Sequence, residues 1–382
     1  MLSEQEMFFR EKAADDFTVS THPKMDRKNA SSSSGAGASP IGETPQEKGL
    51  PYLPGCYKVR SSDMPEKASK AVEFPLVDLA GMNDPARRKT LVEEIGSACF
   101  RNGFFHVVNH GISQAAMDGA LAAASAFFDL PTKCKSPFMS NDVHKPVRYC
   151  TSLKDGIDTV QYWRAFLKHY AHPLDRWIEM WPLQPPDYRE KMGGYVEAMQ
   201  KLAETITELI TESLGLGPKY LTAKLDEGMQ VVTVNCYPAC PQPELALGLP
   251  LHSDYGCVTI VLQDSPGLQI LDRDDDDSWR VVPSIPGALH VQVGDQIEVL
   301  SNGRYKSVLH RVAVNHEKTR ISIAGLHGLR MDVKMEAAAE MVDGDRPNGY
   351  NASSFRDFLD FIAENDIAQG RRFMDNNLRL RR

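Results

Sequence analysis

The sequence contains no apolar run of the roughly 18 to 20 residues that cross a bilayer, and no short apolar stretch ahead of a small-residue cleavage site near its start. A soluble, unsecreted protein is expected. It also lacks any excess of basic residues: 43 Lys and Arg face 51 Asp and Glu, a formal net charge of -8. Without a basic field, nucleic acid and anionic membranes are excluded as partners. Cysteine is sparse and odd in number, seven in 382 residues, and the one close pair, Cys236 and Cys240, has no second pair to match it. The thiols are read as reduced and structural. No internal repeat is present.

What remains is ordinary globular material, 42% hydrophobic and 25% charged, enough for one large or two modest domains. The run Ser31-Ser32-Ser33-Ser34-Gly35-Ala36-Gly37 cannot offset the entropy of ordering, so residues 1–50 are predicted to be a flexible tail. Acids and bases balance over the first thirty residues, which argues for the cytoplasm; the Ser-rich run leaves a plastid as the second expectation. A strand-like run at Phe74–Leu79 is followed by Pro85 at a helix start and by Leu91, Val92, Ile95 and Ala98 at helical spacing. Residues 70–215 are therefore read as a largely helical region, with one buried strand at Gly103–Gly111 and a long helix whose apolar stripe runs from Met192 to Ile210. From Met229 to Gly328 the pattern changes to short β-branched runs separated by Gly, Pro, Asn and Asp, as a sandwich or barrel requires. A capped helix near Ser353 or Ser354 falls in a C-terminal helical segment, 331–382. The acidic run Asp272–Asp277 is read as a solvated hairpin tip, since it lacks the spacing of a Ca²⁺ loop.

Three short segments carry chemistry. In His252-Ser253-Asp254, residues i and i+2 of a strand point the same way, bringing an imidazole and a carboxylate together. A second strand, Lys306–Val312, supplies His310. Two histidines and one carboxylate suit non-haem Fe(II) with open positions; Zn²⁺ with a bound water is the hydrolytic alternative. Ten residues beyond His310, Arg320 and Ser322 share a face by the same period of two and can grip a carboxylate. An inward Arg without an anion is costly.

The ordered set Asn235-Cys236-Tyr237-Pro238, His252-Ser253-Asp254, Gly267-Leu268-Gln269, Gly294-Asp295, Leu300-Ser301-Asn302-Gly303, His310-Arg311-Val312 and Arg320-Ile321-Ser322 resembles the plant 2-oxoglutarate/Fe(II)-dependent dioxygenases, in particular flavanone 3-dioxygenase-like proteins. The upstream Phe104–Gly111 segment is similar to that family's N-terminal part. The resemblance implies an α+β fold, a double-stranded β-helix (jelly roll, cupin-like) over 228–330 wrapped by helices. It implies Fe(II) on His252, Asp254 and His310, and 2-oxoglutarate held by Arg320, Ser322 and Tyr237 with Asn235 nearby. O₂ would be the co-substrate and ascorbate the reductant, and His110 would be structural. The sequence departs from the family pattern at Tyr255-Gly256, where Pro-Gly is usual and a phenol is expected near the metal mouth. It also departs at Gln292, where Asn is common, and at Ala324-Gly325-Leu326-His327.

The implied reaction is hydroxylation of a small aromatic specialised metabolite or hormone (flavonoid, indole or phenolic acid), releasing succinate and CO₂. Desaturation, a gibberellin-type terpenoid acid as substrate, and an inactive binding protein on the same scaffold are the alternatives. Pocket candidates are Val147, Arg148, Tyr149, Thr151, Ser152, Leu153, Tyr162, Trp163, Tyr255, Leu326 and His327. A monomer acting on a small molecule is expected.

Overall fold

The β-branched runs downstream of Met229 form strands, and four strands from upstream join them. The computed structural model describes residues 50–64, 74–151, 157–272, 278–369 and 372–380, all within the unit Ser39–Arg382. The expected tail, Ser152, Leu153 and most of the acidic run lie outside the described residues. In chain order the strands are β1 (Leu76–Asp78), β2 (Phe104–Val108), β3 (Val147–Cys150), β4 (Ala165–His172), β5 (Met229–Tyr237) and β6 (Leu247–His252), then β7 (Val258–Gln263), β8 (Leu268–Asp272), β9 (Ser278–Val281), β10 (Leu289–Val293), β11 (His310–Ala313) and β12 (Arg320–Gly328). One sheet has the order β1-β2-β10-β7-β12-β5-β4-β3 and the other β6-β11-β8-β9. Side chains of both sheets line one cavity between them. This is the α+β jelly roll that the resemblance implies.

Helices cover the outer face of the larger sheet. α1 (Pro85–Arg101) starts where the Asp84 carboxylate accepts from Arg87 N, with Pro85 in the first turn, where its missing N–H costs nothing. α2 (Gln114–Phe128) is capped by Ser113. α3 (Tyr188–Ser213) buries Met192, Val196, Met199, Leu202, Ile206 and Leu209, the stripe read from the sequence, against α1, α2 and the sheet. α4 (Phe355–Glu364) begins with a capping box in which Ser354 and Asp357 satisfy each other's backbone N–H groups. Ser354 is the cap; Ser353 instead pairs with the Tyr255 hydroxyl at 2.9 Å.

The upstream region is less helical than expected. β4 pairs with β5 from Ala165↔Cys236 to His172↔Gln230, so residues 70–215 and 228–330 share a sheet. β4 is buried on both faces, by helices on one side and the cavity on the other, so it has no apolar/polar alternation to betray it. The second expected site strand is also shorter than read: β11 begins only at His310, and Lys306–Leu309 approach it as irregular chain.

Two buried histidines outside the cavity link this packing to pH. His169 stacks on Trp181 at 4.2 Å with Nε2 2.9 Å from the Tyr188 hydroxyl, and His327 Nδ1 lies 2.9 Å from Gln200 Oε1. Burial pushes both imidazoles down to about 3. The folded state holds them neutral, whereas the unfolded chain takes up protons near pH 6.5. Stability is therefore complete above that value and lost as pH falls towards 3, by up to about 1.4 kcal/mol per pH unit for each. The difference between denaturant midpoints at pH 7.5 and 5.5 should change by the equivalent of about 2 to 3 kcal/mol when both histidines are replaced in a His169→Gln, His327→Gln variant; an unchanged difference would mean that both rings protonate normally in the native protein.

Candidate active site

β6 and β11 are antiparallel neighbours, and their register places His310 directly opposite His252, with ring centroids 4.0 Å apart. The two histidines are therefore neighbours within one sheet. Asp254 does not continue the strand, as the spacing suggested. β6 ends at His252, and the chain turns so that Asp295 N donates to Asp254 O and Gln296 N to Gly256 O, both at 2.9 Å. This turn depends on Gly294, where a Cβ would come within 2.3 Å of Gly256 O. The result is a carboxylate whose Oδ1 lies 3.6 Å from His252 Nε2 and 3.8 Å from His310 Nε2.

The outer contacts fix the tautomers. His252 Nδ1 lies 2.8 Å from Pro250 O, and His310 Nδ1 3.2 Å from Val308 O. A carbonyl only accepts, so each Nδ1 carries the proton and each Nε2 turns a lone pair to the centre. Gln292 donates from Nε2 to Asp254 Oδ2 at 2.7 Å, and the same nitrogen is 3.3 Å from His310 Nε2. Burial and the facing His310 push His252 down to about 3. Burial raises Asp254, but His310 and His252 outweigh it and hold the carboxyl below its ordinary value. Two imidazole Nε2 atoms and one carboxylate on one side of a point, open on the other to the cavity, fit divalent iron. Among the described residues this is the only group of three or more His, Cys, Asp or Glu whose ligand atoms could meet at one ion.

Next along the cavity, β12 pairs with β5 so that Arg320 faces Tyr237 and Ser322 faces Asn235. Arg320 is 2% exposed. Its Nε donates to Ser265 O at 2.9 Å, Nη2 to Gln263 Oε1 at 2.8 Å and Nη1 to Ser322 Oγ at 3.4 Å, and the guanidinium lies over the Tyr237 ring. Gly267 leaves room for it: a Cβ there would meet Arg320 Cδ at 2.7 Å. Burial pulls the guanidinium below its ordinary value, opposed by Tyr237 and Asp264, yet it stays charged at any physiological pH.

The metal-ligand triad, Arg320, Ser322 and Tyr237 all line the cavity, whose volume is about 290 Å³. Asn235 does not; its Oδ1 accepts from Arg164 Nη1 at 3.3 Å, so it anchors a neighbour instead. His110 bridges Gly287 O and Ile112 N, as a structural residue would. Of the pocket candidates, Arg148 and Leu326 reach the cavity. Tyr255 turns away from the metal mouth, stacking on Phe358 at 5.0 Å and bonding Ser353, because the aromatic cluster under α4 offers its ring more contact. Tyr149 packs against Phe127 and Phe128; Trp163 meets Tyr57 edge-on and donates to Pro238 O. His327 points to Gln200, and Tyr162 joins Val59 and Leu247 in a separate apolar cluster. The sequence reading missed Arg164 just ahead of β4, Phe166 and Lys168 of β4, and Phe361 of α4, all of which line the cavity. The period-two series Arg164, Phe166, Lys168 was the available signal.

The site geometry agrees with comparison to known proteins. Residues 228–328 match the 2OG-Fe(II) oxygenase superfamily, and residues 74–187 match the N-terminal region described as non-haem dioxygenase in morphine synthesis. The chain is 51% identical over 294 residues to rice 2-oxoglutarate-dependent dioxygenase 21, chloroplastic, covering 76% of this chain and 87% of that protein. It is 44% identical over 320 residues to rice flavanone 3-dioxygenase 3, covering 83% and 97%. Among solved structures, JOX2 in complex with 2OG, Fe and JA superposes with a TM-score of 0.74 at 34% identity, covering 83% of this chain and 91% of that one. With the ligand geometry, the fold and both halves of the sequence in agreement, the chain belongs to the 2-oxoglutarate/Fe(II)-dependent oxygenase superfamily and is an oxidoreductase of that class.

Proposed function

We propose that the protein hydroxylates a small aromatic specialised metabolite or hormone, of flavonoid, indole or phenolic-acid type. The observation that carries this reading is that the His252, Asp254, His310 triad and Arg320 open into one cavity whose remaining wall includes Phe166, Leu249, Phe358 and Phe361. A flat ring suits such a wall. The resemblance to a flavanone dioxygenase and to a structure holding JA supports a small-metabolite substrate.

When bound, Fe(II) with 2-oxoglutarate and O₂ supplies the oxidant that replaces a substrate C–H by C–OH, with 2-oxoglutarate leaving as succinate and CO₂. The chain's own residues bind and orient. His252, Asp254 and His310 would hold the metal, with Pro250 O and Val308 O fixing the imidazoles and Gln292 fixing the carboxylate. Arg320 and Ser322 would grip the distal carboxylate of 2-oxoglutarate, with the Tyr237 hydroxyl beside them. The apolar wall excludes water and sets which substrate carbon faces the metal. Ascorbate serves as reductant. Every group of this site comes from one chain, which supports a monomer as the working unit.

Anaerobic addition of Fe(II) and 2-oxoglutarate should develop a weak visible charge-transfer band, and O₂ should then release succinate with members of a panel of phenolics and indoles. No band, together with no succinate from any of them, would sink the reading.

A further inference from the structure

One row of side chains runs across the larger sheet on its cavity face. Arg148 of β3 is opposite Lys168 of β4, Lys168 opposite Thr233 of β5, Thr233 opposite Ala324 of β12, and Ala324 opposite Val261 of β7. All five line the cavity. The row is neutral at the β7 end and doubly cationic at the β3 end, where two like charges face each other across a strand pair. That arrangement is destabilising by itself. Both cations are buried, at 7% and 8% exposure. Arg148 donates Nε to Ser140 O, and Lys168 donates Nζ to Val143 O at 2.7 Å. A carbonyl dipole orients such a group but does not neutralise it, and each retains further donors.

Among the described residues the compensation is partial: Arg148 lies over the Phe166 ring at 5.2 Å and Lys168 over the Tyr170 ring at 4.9 Å, aromatic faces rather than counter-charges. Arg164 also lines this wall, from the residue just ahead of β4, and Arg372 does so from the C-terminal segment, where it pairs with Asp375. Away from the metal-side carboxylates Asp254 and Asp295, the one carboxylate among the described residues of the lining is Asp158. Burial and the facing Arg148 push the Lys168 ammonium down to about 7, with Asp142 opposing only in part. Ala324 is four residues from Arg320 on β12, so the backbone of this row lies about 13 Å along the strand from that of the residue that would hold 2-oxoglutarate. It is therefore a second anion-seeking position, separate from the first.

We propose that the substrate is a small carboxylic acid, bound with its carboxylate at Arg148 and Lys168 and its ring against Phe166, leaving the opposite end to face the metal. The proposal rests on the oxygenase reading above and narrows it, setting neutral flavonoids aside in favour of organic acids. Two buried donors, one of them a guanidinium, give a carboxylate charge-assisted bonds that an ester of the same shape cannot form.

The test uses the full-length protein loaded anaerobically with Fe(II) and 2-oxoglutarate. The probes are 4-hydroxycinnamate, indole-3-acetate and the methyl ester of each, with binding read as perturbation of the charge-transfer band. At least one acid should bind tenfold or more tightly than its ester, and Lys168→Met should reduce that ratio to near one. Equal binding of acid and ester, binding of neither, or a ratio that survives both Lys168→Met and Arg148→Met would overturn the proposal and leave these cations as ties for the 140–143 chain. The acid/ester comparison on the unmodified protein stands even if a variant does not fold. A band that forms while the acid preference is absent removes this inference alone; failure of the band itself removes the reading on which it rests.

Discussion

Alanine at His310 is expected to lower succinate release by more than about 10³-fold, a loss of about 4 kcal/mol in transition-state stabilisation, and to abolish the visible band that Fe(II) and 2-oxoglutarate produce in the parent. The expectation follows from how the site is assembled. His310 and His252 face each other in register on β11 and β6, and Asp254 Oδ1 is about equally distant from the two Nε2 atoms. Removing one imidazole leaves one nitrogen and one carboxylate, a weak pair for divalent iron. Asp254 would then lose the neighbour that does most to hold its carboxyl below the ordinary value. The Gln292 amide, at 3.3 Å from His310 Nε2, would keep only its bond to Asp254. Iron retention after desalting, the band and succinate should all fall together, while the circular dichroism spectrum stays that of the parent. A variant that retained iron and turnover would place the metal elsewhere.

Leucine at Arg320 is expected to act on the co-substrate instead. Losing a buried cation that pairs with a carboxylate costs about 2 to 5 kcal/mol, so the half-saturating 2-oxoglutarate concentration should rise by roughly 30-fold to a few thousand-fold. The iron ligands are untouched, and at saturating 2-oxoglutarate the band should reappear. Arg320→Lys should fall between parent and Leu, because it keeps the charge but not the planar fork that meets Gln263, Ser265 and Ser322 at once. Both variants should also lose about 1 to 3 kcal/mol of stability, since the Gln263 and Ser265 oxygens lose a donor. Parent-like 2-oxoglutarate dependence in Arg320→Leu would show the clamp to be misassigned.

The parts of the site legible in the sequence were those set by local spacing. His252, Asp254, His310, Arg320 and Ser322 sit in short segments whose residue types leave few chemical uses. The adjacency of β6 and β11 was not legible, because strand register is a tertiary property. The substrate wall was hardest to read. Tyr149, Trp163 and Tyr255 are large and apolar, and such side chains fill a core as readily as they line a cavity; here all three fill core. β4 was missed because its cavity face carries Lys168, with Arg164 just ahead of the strand, and both read as surface charge while being the lining itself. β10 was missed for a related reason, since His290 and Gln292 occupy inward positions where apolar residues are the usual strand signal.

β12 sets Arg320, Ser322, Ala324 and Leu326 into the cavity at every second residue. A strand neither stretches nor bends within its ladder, so it serves as a fixed ruler: Leu326 stands about 20 Å from Arg320 along the backbone whatever side chains are present. Lengthening or shortening a side chain can reshape the space between those marks but cannot move the marks. One residue inserted between Ser322 and Ala324 would turn every graduation beyond it outward. The length of molecule that the enzyme accepts is thus written in the backbone, and only its width is left to the side chains.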